Sequence, residues 1–276
     1  MLSRCDLCGH HCGTGRLYGG RGACRVGDSV LVSSYGPHFG EEEVLVGRYG
    51  SGTIFFSGCN LQCVFCQNWE ISHEREGRVV TLEELGEIML ELQEKRCHNL
   101  NLVTPTPYLP GILAALEIAT ARGLNLPLVY NCGGYESTAA LKLLDGIVDI
   151  YMPDVKFASQ ETARRLTGAK EYFTVAKAAL KEMRRQVGDL ELDEYGLARR
   201  GLMVRHLVLP GGLSGTEEVV QFLAREISPD TYINIMDQYY PAFQAKEFPP
   251  LDRRLRREEY EAAIIAARAA GLRRLG

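Results

Sequence analysis

The sequence predicts an α/β protein, a parallel sheet with covering helices, preceded by a small N-terminal cysteine-rich metal-binding segment. Three observations predict it. From Thr53 onward short apolar runs alternate with amphipathic segments, the texture of βα units. The first 50 residues are instead rich in glycine and cysteine and lack helical periodicity. The length, 276 residues, suits one α/β barrel plus a small appendage. We therefore divide the chain into a cysteine-rich metal-binding region at 1–50 and a barrel region at 51–276.

Taken in order, the N-terminal region offers strand-like runs only at 30–34 and 44–46. Six strands follow, at 53–56, 100–103, 126–130, 147–152, 202–209 and 232–236, each short, apolar and closed by polar, Gly or Pro residues. The clearest helix starts at Thr81, where Glu84 completes a capping box, and it sets Leu82, Leu85, Ile88, Met89 and Leu92 on one face. Another spans 257–270, turns Tyr260, Ile264 and Ala267 inward, and stops at Gly271. Six βα units fit an open doubly wound sheet as well as a barrel. In both, ligands gather where the parallel strands end at their carboxyl edge.

Composition narrows the function classes. With 46% hydrophobic and 24% charged residues the chain reads as an ordinary globular protein. A net charge of -4 provides no field for polyanions, so nucleic acid is not expected as a partner, and the arginines at 253, 254, 256 and 257 lead into glutamates as an ion-paired helix face. No apolar run nears the roughly 20 residues that span a bilayer, so no membrane partner is expected. Residues 1–10 carry cysteine, aspartate and histidine, unlike an export signal, and we expect a cytoplasmic protein. Seven of the nine cysteines fall in two tight groups, a pattern of metal ligation rather than of disulfides. The other two, Cys97 and Cys132, read as small packed hydrophobes.

The run Ser57-Gly58-Cys59-Asn60-Leu61-Gln62-Cys63-Val64-Phe65-Cys66 follows the first barrel strand and presents three thiols on one loop. Such a loop can grip three corners of an iron-sulfur cube and leave one iron open to an outside ligand. A structural zinc site is the competing reading, but zinc prefers four closed ligands. At the end of the fourth strand stand Asp154 and Lys156, two residues apart in an extended segment. They point the same way and suit a zwitterionic or hydroxyl-rich ligand. Arg205 lies inside an apolar strand and needs an anion or water. Strand alternation lets only one of Arg205 and His206 face the interior, and His206 reads as the core or outward residue. Asn131 opens the turn Asn131-Cys132-Gly133-Gly134, whose glycines permit close backbone approach to a ligand.

Cys5, Cys8, Cys12 and Cys24, with His10 and His11 between them, form a second ligand set. A closed tetrahedral zinc site and a four-cysteine iron-sulfur cluster fit this spacing equally.

The cysteine loop closely resembles the signature of the radical S-adenosylmethionine (SAM) enzymes. Together with the N-terminal cysteines, Phe55-Phe56-Ser57-Gly58-Cys59-Asn60, Cys66-Gln67-Asn68, Arg205-His206-Leu207-Val208-Leu209-Pro210 and Met236-Asp237-Gln238-Tyr239-Tyr240-Pro241, it resembles the branch homologous to the pyruvate formate-lyase activating enzyme. The resemblance implies a partial (β/α)6 barrel, open on one side. It implies a 4Fe-4S cluster on Cys59, Cys63 and Cys66, with SAM chelating the open iron and cleaved reductively to a 5′-deoxyadenosyl radical that abstracts hydrogen. Phe65 would pack against adenine, Asp154 and Lys156 would meet the ribose and carboxylate of SAM, Arg205 its carboxylate, and Asn131 its amino end. A reduced flavodoxin or ferredoxin-type donor and a glycyl radical enzyme, or another protein or peptide substrate, are the implied partners.

The chain departs from that pattern in three places. After the second barrel strand it reads Thr104-Pro105-Thr106-Pro107 where the family carries Gly-Gly-Glu, so Thr104 and Thr106 would have to replace the glutamate. Gln238 and Tyr239 stand where activating enzymes use a histidine, and the N-terminal cysteine set is extra. The alternatives are a radical SAM enzyme acting on a small molecule or other peptide, and a non-enzymatic iron-sulfur electron carrier or redox sensor.

Overall fold

The computed structural model describes residues 1–276. Its elements are β1 (Val30–His38), α1 (Glu43–Val46), β2 (Ser51–Phe56), β3 (Arg78–Val80), α2 (Leu82–Glu94), β4 (Leu100–Val103), α3 (Leu109–Ala121), β5 (Leu128–Cys132), α4 (Thr138–Lys142), β6 (Ile150–Pro153), α5 (Gln160–Thr167), α6 (Tyr172–Val187), β7 (Glu191–Leu192), β8 (Ala198–Leu207), α7 (Thr216–Phe222), β9 (Tyr232–Met236), α8 (Arg257–Ala270) and β10 (Arg274–Leu275). The sheet runs β10-β9-β8-β6-β5-β4-β2-β1-β3, with β7 attached to β8. All pairings from β10 to β2 are parallel, whereas β1 joins β2 and β3 antiparallel. The end strands do not pair with each other, so the sheet stays open.

The six expected barrel strands are all present, with shifted ends. β5 starts at Leu128, after Pro127, and β6 starts at Ile150 because the Asp149 carboxylate is drawn aside to accept the Leu128 N–H at 2.8 Å. β8 starts at Ala198, earlier than expected, because its first residues pair with β7.

One expected strand is not a strand. Residues 44–46 belong to the helical turn α1, which carries the fully buried Leu45 against Val129, Ile150, Met152 and Met203, residues that alternate inward along β5, β6 and β8. Asn99 holds this plug in place by donating from Nδ2 to the Leu45 carbonyl at 2.8 Å. β1, within the 1–50 region, pairs with β2 from Val32 to His38 and so shares the barrel's sheet.

Helices cover the other face of the strands. α2 begins as expected, with Thr81 Oγ1 accepting the Glu84 N–H at 3.1 Å and Glu84 accepting the Thr81 N–H at 2.7 Å. Leu85, Ile88, Met89 and Leu92 are buried, but Leu82, in the first turn, projects past the packed face and stays exposed. α8 buries Ala263 and Ala267, leaves Tyr260 and Ile264 half-buried, and ends at Gly271 with φ 96°. No helix is long and apolar enough to cross a membrane.

Candidate active site at the carboxyl edge of the sheet

The three-cysteine loop leaves β2 through Gly58, whose φ of 81° and a Cβ position only 2.7 Å from Val26 admit no side chain. Several backbone hydrogen bonds then strap the loop down. The N–H groups of Gln62 and Val64 donate to the carbonyls of Thr167 and Leu166, at 3.0 and 2.9 Å, and Gln244 donates to Val64 at 2.9 Å. Within the loop the Leu61 N–H points at Cys59 Sγ across 3.4 Å, and Ser72 Oγ lies 3.1 Å from Cys66 Sγ. His73 donates from Nε2 to the Cys63 carbonyl at 3.1 Å. Burial pushes the Cys59 thiol up to about 12 and the Cys63 thiol higher still, opposed in both by the Lys156 ammonium.

Opposite the loop, Asp154 and Arg205 come together at the ends of β6 and β8. Arg205 donates from Nε to Asp154 Oδ1 at 2.8 Å and from Nη2 to Asn131 Oδ1 at 3.0 Å, and its Nη1 stands 3.7 Å from Glu41. Lys156 Nζ closes on Asp154 Oδ2 at 2.6 Å. Burial alone would raise the Asp154 carboxyl, but Arg205 and then Lys156 outweigh it and hold it at about 2. Burial likewise opposes the charge of Lys156, which Asp154 more than restores. The pair therefore stays fully ionised, able to meet the opposite charges of a zwitterion.

The structure thus brings Cys59, Cys63, Cys66, Asn131, Asp154, Lys156 and Arg205 to one edge. His206 faces the other way and is wholly buried, donating from Nδ1 to the Val155 carbonyl at 2.6 Å and accepting from Thr216 at 2.9 Å. Phe65 is also buried, its ring edge-on to Phe157 and Tyr239. Cys97 and Cys132 pack in the layer between sheet and helices, as small hydrophobes do. An apolar cavity of about 380 Å³ opens at the opposite, amino end of the strands, beside Leu116 and Ile147, and holds none of these groups.

Comparison with known proteins bears on this arrangement. Residues 53–192 match the model of the Radical SAM superfamily, just over half of the chain. The chain belongs to the radical SAM superfamily. It is 34% identical over 97% of its length to the uncharacterized protein MJ0674 of Methanocaldococcus jannaschii, covering 75% of that protein. Its fold is similar to that of native anSMEcpe with bound AdoMet (TM-score 0.51, 11% identity, 79% of this chain and 61% of that one). It is also similar to Streptococcus suis SuiB bound to S-adenosylmethionine (TM-score 0.50, 12% identity, 79% of this chain and 47% of that one). The chain therefore spans less than two thirds of either structure.

Membership of the radical SAM superfamily implies a 4Fe-4S cluster and SAM, and the donor set fits. One short loop offers three thiols, and Cys132, at the nearby end of β5, is committed to the outer core and adds no fourth.

Two residues of this radical SAM site carried no motif in the sequence. The Tyr172 hydroxyl is buried between the carbonyls of Gly133 and Asp154, 2.8 Å from each, and accepts the Lys156 N–H at 2.9 Å. Its only signal was an aromatic at the start of an amphipathic helix. Glu136 is 1% exposed, accepts from Thr106 Oγ1 at 2.9 Å, and leaves Oε2 without a partner. A glutamate soon after the Gly133-Gly134 turn was the signal that could have found it. Thr106 is thereby turned into the core toward Glu136.

Proposed function

We propose that this radical SAM enzyme cleaves SAM reductively and directs the resulting radical to hydrogen abstraction, along the lines of the enzymes that activate pyruvate formate-lyase and other glycyl radical enzymes. The observation that carries this reading is the meeting of a three-thiol loop with the ionised Asp154–Lys156–Arg205 group at one sheet edge. When bound, the cluster supplies the electron that splits the sulfonium of SAM.

The residues of the chain do the rest. Cys59, Cys63 and Cys66 ligate the cluster as thiolates, deprotonated on binding metal despite their burial. Lys156 and Arg205 face the SAM carboxylate, Asp154 the ribose, and the Asn131 amide the amino end of SAM, while Phe65 and its aromatic neighbours wall the adenine. A reduced flavodoxin or ferredoxin-type protein is the electron donor in this reading, and a glycyl radical enzyme the partner.

Reduction of the reconstituted protein with dithionite in the presence of SAM should release 5′-deoxyadenosine. No release would reject the enzyme and favour an electron carrier.

One observation favours a different substrate. After β4 the backbone passes through Thr104, a β-branched residue held at φ 59°, and then turns Thr106 inward, unlike a Gly-Gly-Glu loop. That altered rim suits a small molecule or a different peptide. Release of 5′-deoxyadenosine without a glycyl radical on a supplied partner enzyme, read by electron paramagnetic resonance (EPR), would select this second reading.

A further inference from the structure

The stretch between β1 and α1 enters the barrel and carries two carboxylates with it. Glu41 and Glu42 stand just before α1, whose Leu45 plugs the floor, and both turn to the inward face of β8 and β9. Glu42 accepts a hydrogen bond from Asn234 Nδ2 at 2.8 Å, and Asn234 is the register partner of Arg205. Glu41 lies 3.7 Å from Arg205 Nη1 and 3.5 Å from His38 Nδ1, both longer than an ordinary hydrogen bond, and His38 Nδ1 has no other partner. The Glu41 side chain is only 7% exposed. A carboxylate so far from water ordinarily accepts several hydrogen bonds, and this one accepts none.

Charge points the same way. Three carboxylates, Asp154, Glu41 and Glu42, gather around two cations, Lys156 and Arg205. In the proposed function SAM brings its own carboxylate to Lys156 and Arg205, which leaves the two glutamates less compensated still. Burial already raises the Glu42 carboxyl in spite of Arg205 and Asn234, and Glu41 and Asp154 add to the rise. The balance favours a cationic ligand.

An amide in the same interior supplies a second, independent observation. Asn101 lies on β4 between Leu100 and Leu102, which pack in the layer between sheet and helices, so its side chain points into the barrel. Its register partner Val129 packs on Leu45. Asn101 is 0% exposed, yet neither Oδ1 nor Nδ2 has a partner. Leaving both halves of a buried amide unpaired is costly, so its placement points to a polar ligand reaching toward the barrel floor.

The walls give that ligand its shape. Phe55, Val103, Leu207 and Met236 alternate inward on β2, β4, β8 and β9, and all four remain only partly buried. Leu45 closes the amino end, so entry is from the carboxyl edge, past the cysteine loop. Apolar walls beside paired carboxylates suit an aliphatic chain with a cationic end.

We propose that Glu41 and Glu42 form a substrate subsite inside the barrel that takes the protonated amino or guanidino end of an aliphatic chain. The chain belongs to a small-molecule amine or to a lysine or arginine side chain of a peptide. This deepens the proposed function and rests on its reading that SAM is bound and cleaved at the same edge.

The test is anaerobic calorimetric titration of the reconstituted enzyme, loaded with SAM and kept oxidised, with n-butylammonium and with neutral n-butanol. Wild type should bind butylammonium at least about tenfold tighter than butanol, and the double variant Glu41→Gln, Glu42→Gln should lose that preference. A wild type without the preference, or a variant that is folded by circular dichroism and keeps it, overturns the subsite. Displacement of SAM by butylammonium also overturns it, because the carboxylates would then serve the ammonium of SAM. If the double variant does not fold, Glu41→Gln alone takes its place under the same criteria. Acetyl-Gly-Lys-Gly-amide carries the same alkylammonium: tighter binding than butylammonium supports the subsite with a peptide as its source, and weaker binding supports it with a small molecule. No reductant is present, so binding is read without turnover. Absent 5′-deoxyadenosine release under reduction would reject the radical reading, whereas a missing ammonium preference rejects the subsite alone.

Discussion

The guanidinium of Arg205 lies 2.8 Å from the carboxylate of Asp154, tying the end of β8 to the end of β6 where the strands face the cysteine loop. The same guanidinium reaches Asn131 on β5, so one side chain spans three adjacent strands. Arg205→Lys keeps the charge but loses the fork that serves both partners. The SAM dissociation constant should rise at least about tenfold, about 1.4 kcal/mol, while the fold is retained. Anaerobic equilibrium dialysis measures this, and an unchanged constant would detach the pair from SAM.

The loop itself can be tested with one thiol. Cys63→Ala removes one of three ligands and should abolish 5′-deoxyadenosine release, measured by liquid chromatography after dithionite reduction. Retained turnover would show that the cluster is held elsewhere.

Tyr172→Phe deletes a buried hydroxyl that serves Lys156, Gly133 and Asp154 together. Stranding those groups should cost about 1–3 kcal/mol in urea unfolding. It should also weaken SAM binding, because the segment bearing Lys156 loses its anchor. A variant as stable as wild type would mean that water replaces the hydroxyl.

Leu45→Ala empties the plug beneath the site. A fully buried leucine truncated in a packed interior costs about 2–5 kcal/mol, measurable as a lower urea midpoint with unchanged slope. A loss under 1 kcal/mol would show that the barrel floor collapses around the gap.

His206 should make stability depend on pH. Burial, opposed by the Val155 carbonyl and Asp154, lowers its pKa from 6.5 to about 4. Between these values the unfolded chain binds a proton that the folded chain refuses, so stability falls as pH drops from 6.5 to 4. The total is up to about 3 kcal/mol. Urea unfolding at several pH values should show this slope, and His206→Leu should flatten it. An equal slope in the variant would assign the effect to another group.

Much of the site was legible because its chemistry is local in the chain. The three loop cysteines lie within eight residues, and Asp154 and Lys156 are two apart, so spacing alone set their relation. Period-two alternation was enough to separate Arg205 from His206. Glu136 and Tyr172 escaped because each reaches its partners across the fold: Glu136 meets Thr106, and Tyr172 meets Asp154. No local pattern records such contacts.

By itself the sequence determined the parallel α/β architecture, the three-thiol loop and the capping of α2, since each depends on residues close in the chain. Tertiary structure alone decided that residues 44–46 coil into a turn so that Leu45 fills the barrel, although their apolar run has a strand's propensity. It also decided that the N-terminal cysteines press against the turn beside Cys59. The physical reason is the same in both cases: burial and hydrogen bonding to distant partners outweigh local preference, and those partners are chosen only when the strands and helices assemble around them.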